Sequence, residues 1–117
     1  MTINGVEFDI DFTDADFIER YEFKYKEVEK EIEELQNKKD TINPVEGIRQ
    51  ECKIIKEFLD YVLGDGTSEK IFKGKDSLNL CLTAFEDIID NVDKQHKEMQ
   101  ERLNKYSPER LKRWTYW

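Results

Sequence analysis

The sequence predicts a mainly α fold, a small bundle of three long helices with a short N-terminal β strand or hairpin and a short C-terminal helix. Three observations predict it. Apolar residues recur at steps of three and four, which places them on one side of a helix, in Tyr21, Tyr25, Val28, Ile32, Leu35, then Val45, Ile48, Cys52, Ile55, Leu59, Val62, then Leu78, Leu82, Phe85, Ile89, Val92, Met99, Leu103. Ahead of each stretch stands a residue suited to capping a helix N-terminus, Thr13, Asn43 and Ser77. Ahead of them, residues 6–12 alternate with the period of a strand.

Taken in order, Asn4-Gly5 is a two-residue turn signal. It is followed by Val6, Phe8, Ile10 and Phe12 on one side and Glu7, Asp9 and Asp11 on the other, so the expectation is a half-buried strand. Only Thr2 and Ile3 lie between Met1 and the turn, which makes any hairpin stubby and leaves a strand edge open as a candidate interface.

Thr13 is the expected N-cap of the first long helix, with Asp16 as its capping-box partner, and the helix runs to about Lys39. Asn43 followed by Pro44 caps and opens the second, with Glu46 completing the box. Gly64-Asp65-Gly66 ends it, because glycine supplies the left-handed backbone a helix stop prefers. Thr67 or Ser68 then caps a short turn carrying Ile71 and Phe72, which Gly74 breaks. Ser77 opens the third long helix, running to about Tyr106, with favourable i,i+4 pairs from Asp90 to Lys94, Asp93 to Lys97, Glu98 to Arg102 and Glu101 to Lys105. Ser107-Pro108-Glu109 restarts a short helix. The organisation is a helical domain over 1–106, including the β element 1–12, and a basic and aromatic tail over 107–117.

Composition narrows the function classes. With 39% charged and 38% hydrophobic residues, the helices have narrow apolar faces and broad solvated ones. No apolar run of membrane-spanning length exists, and no basic segment followed by an apolar one opens the chain, so no membrane role is expected and the cytoplasm is the expected compartment. The net charge is −8, distributed as −7 over residues 1–40, −5 over 41–93 and +4 over 94–113. An acidic bulk field does not attract nucleic acid. Cys52 and Cys81 fall on or beside apolar stripes of different helices, where a thiol behaves as a small hydrophobe, with a disulfide as the minor alternative.

Catalytic inventory is thin. Gly64-Asp65-Gly66-Thr67-Ser68 resembles a piece of a phosphate loop, but a helix precedes it, and Lys73-Gly74-Lys75-Asp76 lacks the hydroxyl a Walker motif needs after its lysine. Glu86, Asp87, Asp90 and Asp93 share helix faces and have the oxygen ligands magnesium prefers. With Glu31 and Glu34 they are similar to the acidic helices of all-α nucleotide pyrophosphohydrolases, yet the paired glutamate motif of that family is missing. His96 is the only histidine and stands in no zinc-ligand spacing. The expectation is no enzyme, no cofactor and no metal.

The tail carries the residue types that dominate binding hot spots. The candidate partner-binding residues are Phe72, Tyr106, Arg110, Leu111, Arg113, Trp114 and Trp117. The same aromatics can instead fold back over the bundle as a lid.

Three segments resemble one family: Val6-Glu7-Phe8-Asp9-Ile10-Asp11-Phe12-Thr13-Asp14-Ala15-Asp16-Phe17 leading into a charged helix, Gly64-Asp65-Gly66-Thr67-Ser68-Glu69-Lys70-Ile71-Phe72, and Tyr106-Ser107-Pro108-Glu109-Arg110. They are similar to small tail assembly chaperones of tailed phages and prophages of Gram-positive bacteria. Those relatives end in a short Arg-rich segment; here Leu111 and Trp114–Trp117 differ. The resemblance implies a non-catalytic helper that binds the tape measure protein, with the tail tube protein as a further partner, in the host cytoplasm. The alternatives are a self-associating helical structural or adaptor protein, an acidic nucleic-acid mimic, and a metal-dependent nucleotide pyrophosphohydrolase.

Overall fold

The computed structural model describes residues 1–106. Strands β1 (Thr2–Ile3) and β2 (Val6–Glu7) form an antiparallel hairpin, with Thr2 opposite Glu7 and Ile3 opposite Val6. Both turn residues have positive φ, 48° at Asn4 and 79° at Gly5, the geometry a tight two-residue hairpin requires. Helices follow as α1 (Ala15–Asn37), α2 (Pro44–Leu63), α3 (Thr67–Phe72) and α4 (Leu78–Asn104). The mainly helical bundle with a short N-terminal β element is therefore the observed architecture. No helix among the described residues is long and apolar enough to cross a membrane.

Cap chemistry fixes most boundaries. Asn43 Oδ1 accepts the Glu46 amide at 2.8 Å and Pro44 occupies the first turn of α2, although the Glu46 carboxylate accepts from Gln50 instead of returning to Asn43. Ser77 Oγ accepts the Leu80 amide to open α4. At α1 the cap is Asp14, whose carboxylate accepts from the Phe17 amide at 3.1 Å. Thr13, the expected cap, is engaged upstream: its amide and hydroxyl both donate to Asp11 Oδ1. For α3 the cap position is Gly66, not Thr67 or Ser68. Its first turn is satisfied from α2, where Asp60 accepts from the Ser68 amide and hydroxyl, both at 2.8 Å.

The strand expected over residues 6–12 stops at Glu7, because β1 offers only two residues to pair with. Its alternation nevertheless survives, with Phe12 buried, Phe8 and Ile10 half-buried, and Asp9 and Asp11 exposed. Side chains of α4 replace the missing strand. Gln95 Oε1 accepts the Phe12 amide at 2.9 Å, Gln95 Nε2 donates to the Ile10 carbonyl, and His96 Nε2 donates to the Phe12 carbonyl at 2.8 Å. That last bond requires the proton on Nε2. The backbone proposed as an open edge is consumed there from within.

One core joins the hairpin to the helices. Ile3, Phe12, Ile55, Phe58, Leu59, Ile71 and Ile88 are sealed from solvent, and Asn4 Nδ2 ties the hairpin to the Ile71 carbonyl at 2.7 Å. Helix α2 is central: α1 packs along one side of it and α4 along another, whereas α1 and α4 scarcely approach each other. The face α4 presents to α2 is Cys81, Ala84, Ile88 and Val92, one residue away from the expected stripe in its first turns. Small side chains account for this rotation. Cys81 lies beside Cys52 of α2, and both thiols are free and buried, so the two helices come together where least volume intervenes. Burial, then the Cys52 thiol, pushes the Cys81 thiol up to about 12.

Candidate apolar binding surface

The rotation of α4 has a cost on its other side. Leu82, expected in the core, is 43% exposed, and Phe85 and Ile89 are half-covered. Phe85 faces the space that α1 and α4 leave between them. Across it, Ile18, Tyr21, Tyr25 and Ile32 of α1 are likewise half-covered. Phe58 of α2 floors the seam, with its ring 5.9 Å from that of Tyr21 and 5.0 Å from that of Phe85, edge-on to both. Tyr25 and Phe85 bridge the walls as a stacked pair. Beyond that bridge the seam opens into a groove of 390 Å³ lined by Val28, Ile32, Gln36, Glu29 and Glu33.

The rims are acidic. Glu22 and Glu29 flank the tyrosines on α1, and Glu86, Asp90 and Asp93 follow Phe85 and Ile89 at helical spacing, all exposed. The Tyr21 phenol is pushed up to about 12, first by burial and then by Tyr25 and Asp93. Dispersed glutamates and aspartates around an apolar floor suit a docking surface better than a reaction centre. Among the described residues no three His, Cys, Asp or Glu side chains gather as a metal site.

A second apolar patch crowns the α1–α2 end. Val45 is 63% exposed and Ile48 is also exposed, although both belong to the expected core stripe. Asp76, just ahead of α4, is tied to Arg49 at 2.9 Å and to Lys56 at 2.7 Å. The Lys56 hydrogen bond, with Arg49 behind it, holds its carboxyl below the usual range. Helix α4 thus begins level with the second turn of α2, leaving the first turn uncovered. On the outer face of α1 and α2, Phe23 packs against Tyr61 at 6.0 Å, with Lys24 over the Tyr61 ring and paired to Glu27.

Of the predicted partner-binding residues, Phe72 is 3% exposed, packed in the core beneath the Lys56 ammonium. It is unavailable to a partner in this fold. Tyr106 is 68% exposed. Arg110, Leu111, Arg113, Trp114 and Trp117 lie outside the described residues, as does the expected helix from Ser107. The expected i,i+4 ladder on α4 is not among the ion pairs that form; those within the described residues are Lys24–Glu27, Arg49–Asp76, Lys56–Asp76 and the amino terminus with Glu7. In the segment resembling a phosphate loop, Gly64 at the end of α2 and Gly66 ahead of α3 adopt positive φ. Ser68, which would have to meet a phosphate, is instead occupied by the Asp60 carboxylate.

Comparison with known proteins adds a family. The sequence model of a family of unknown function, DUF6673, matches residues 4–116. The chain belongs to that family. For this DUF6673 protein no curated protein gives a match, and no solved structure does. The match spans the hairpin turn, β2, all four helices and most of the tail.

Proposed function

We propose that this protein is a non-catalytic tail assembly chaperone that binds the tape measure protein in the host cytoplasm and keeps it soluble until tail tube subunits polymerise around it. The observation that carries the reading is the α1–α4 seam, where apolar side chains of both helices stay half-covered beside an open groove of 390 Å³. A long tape measure helix exposes an apolar stripe that self-associates in water. A seam between two helices receives such a stripe by helix-in-groove packing, with anchors at i, i+3 and i+7. The acidic rims keep the complex charged and soluble. Because the client must later be released, each copy contributes modest affinity and many copies act along one client.

A self-associating adaptor would use the same seam to bind a second copy. Co-expression with the tape measure protein of the same gene cluster separates the two. The chaperone reading expects a rise in soluble tape measure protein and a co-purifying complex. Unchanged solubility without a complex, together with a discrete homo-oligomer, supports the adaptor.

A further inference from the structure

The outer face of α1 and α2, turned away from the side chains these helices send into the core, carries a knob and a socket. At one end Phe23 and Tyr61 pack on each other yet stay 55% and 44% exposed. Further along the same face, towards the α1–α2 connection, lies a groove of 470 Å³ whose lining includes Glu34, Leu35 and Lys38 of α1 and Gln50, Lys53 and Ile54 of α2. Both signs of charge border it, and among the described residues no ion pair takes up Glu34, Lys53 or Glu57. We propose that this face is an isologous interface, on which two copies of the chain pair antiparallel and each sets its Phe23 and Tyr61 into the groove of the other.

Charge complementarity makes a second copy the occupant. Phe23 stands level with Tyr61, so in two antiparallel helices of equal rise Glu29 stands level with Ile55. A two-fold axis crossing both helices at that level sets Phe23 against Leu35 of the other copy, and Tyr61 against the turn of Arg49 and Gln50, all in the groove lining. The same operation brings Lys53 opposite Glu57 and Lys24 opposite Glu34, each contact occurring twice because an isologous interface is self-complementary. Glu27 and Glu31 meet nearest the axis, where Lys24, bonded to Glu27 at 3.0 Å and drawn by the charge of Glu31, offsets them. A client helix of one sign cannot satisfy this order of charges: a basic one meets Lys24 and Lys53, an acidic one the glutamates. From Phe23 to Lys38 the face is about 22 Å long at 1.5 Å per residue, which suits a small, dissociable dimer better than an obligate one. The α1–α4 groove lies on another flank of α1, so the pairing is independent of the chaperone reading and leaves two seams open per dimer.

Sedimentation equilibrium of the full chain at physiological salt should show a mass that rises with concentration from 14.1 kDa towards twice that value. Phe23→Glu, at an exposed position, should hold the chain at the monomer mass while circular dichroism stays helical. Lys53→Glu and Glu57→Lys should each weaken pairing by at least about tenfold, since each sets like charges opposite one another in both halves of the interface. An equimolar mixture of these two variants should recover the dimer, because opposite charges face each other again in the mixed pair. Recovery confined to the mixture cannot come from repair within one chain. A mass fixed at the monomer value up to millimolar chain overturns the proposal. A dimer that survives Phe23→Glu, or charge variants that mixing does not rescue, overturns this face as the interface.

Discussion

Tyr25 of α1 and Phe85 of α4 stack with ring centroids 5.9 Å apart and planes within 11°, joining two helices whose backbones scarcely meet. The contact is made by the tips of long side chains above Phe58. A bundle closed this way depends on its floor.

Phe58 is completely buried and touches rings from both walls. Phe58→Ala should cost about 3–5 kcal/mol, the range for emptying an aromatic core position. Leu82→Ala, at an exposed position of α4, should stay within about 0.5 kcal/mol. Urea unfolding of the two variants checks the ranking, and similar losses would mean that the seam is not floored as described.

Gln95 stands in for a strand opposite residues 10–12, accepting from Phe12 and donating to Ile10. Gln95→Leu strands both backbone groups in a partly buried place and should cost about 1–3 kcal/mol. Gln95→Glu keeps the acceptor for the Phe12 amide and should lose less. Hydrogen exchange at Phe12 reads this directly: the amide should lose protection in the leucine variant and retain part of it in the glutamate variant.

Asp60 caps α3 from the end of α2 through both its oxygens. Asp60→Ala should destabilise by about 1 kcal/mol, as for loss of a helix cap, and loosen Ile71 and Phe72. The neighbouring exposed Asp65→Ala should be silent in the same thermal melts.

The Tyr21 phenol, pushed up to about 12 from an ordinary 10, binds its proton more tightly in the folded chain than in the unfolded one. Its contribution is therefore whole below pH 10 and is lost as pH rises from 10 towards 12. Absorbance titration of tyrosinate should show one late phenol that Tyr21→Phe removes, along with the steepest part of the alkaline loss of stability.

The helices, the hairpin turn and the caps at Asn43 and Ser77 were legible because they rest on local rules: period, φ preference and short-range hydrogen bonds. The misplaced features depend on neighbours. Cys81 and Leu82 stand about 100° apart on the helix, either can border an apolar stripe, and only the neighbouring Cys52 of α2 decides which turns inward. Val45 and Ile48 fit their stripe, yet the Asp76 ion pairs set where α4 starts and leave them uncovered. Gln95 and His96 look like an ordinary polar stretch of helix. Nothing short of tertiary structure shows that they replace a strand for residues 10–12. The seam itself was hidden for the same reason, since periodicity reveals that a helix has an apolar side but not whether its neighbours cover it.

The most direct test of the account uses Ile32→Glu, a substitution at a half-covered position of the open groove, in co-expression with the tape measure protein of the same gene cluster. The account predicts that the unaltered chain co-purifies with tape measure protein, and that the variant keeps its helicity but recovers at least about tenfold less, equivalent to about 1.4 kcal/mol of lost affinity. Equal recovery by both chains, or no complex with the unaltered one, would contradict it.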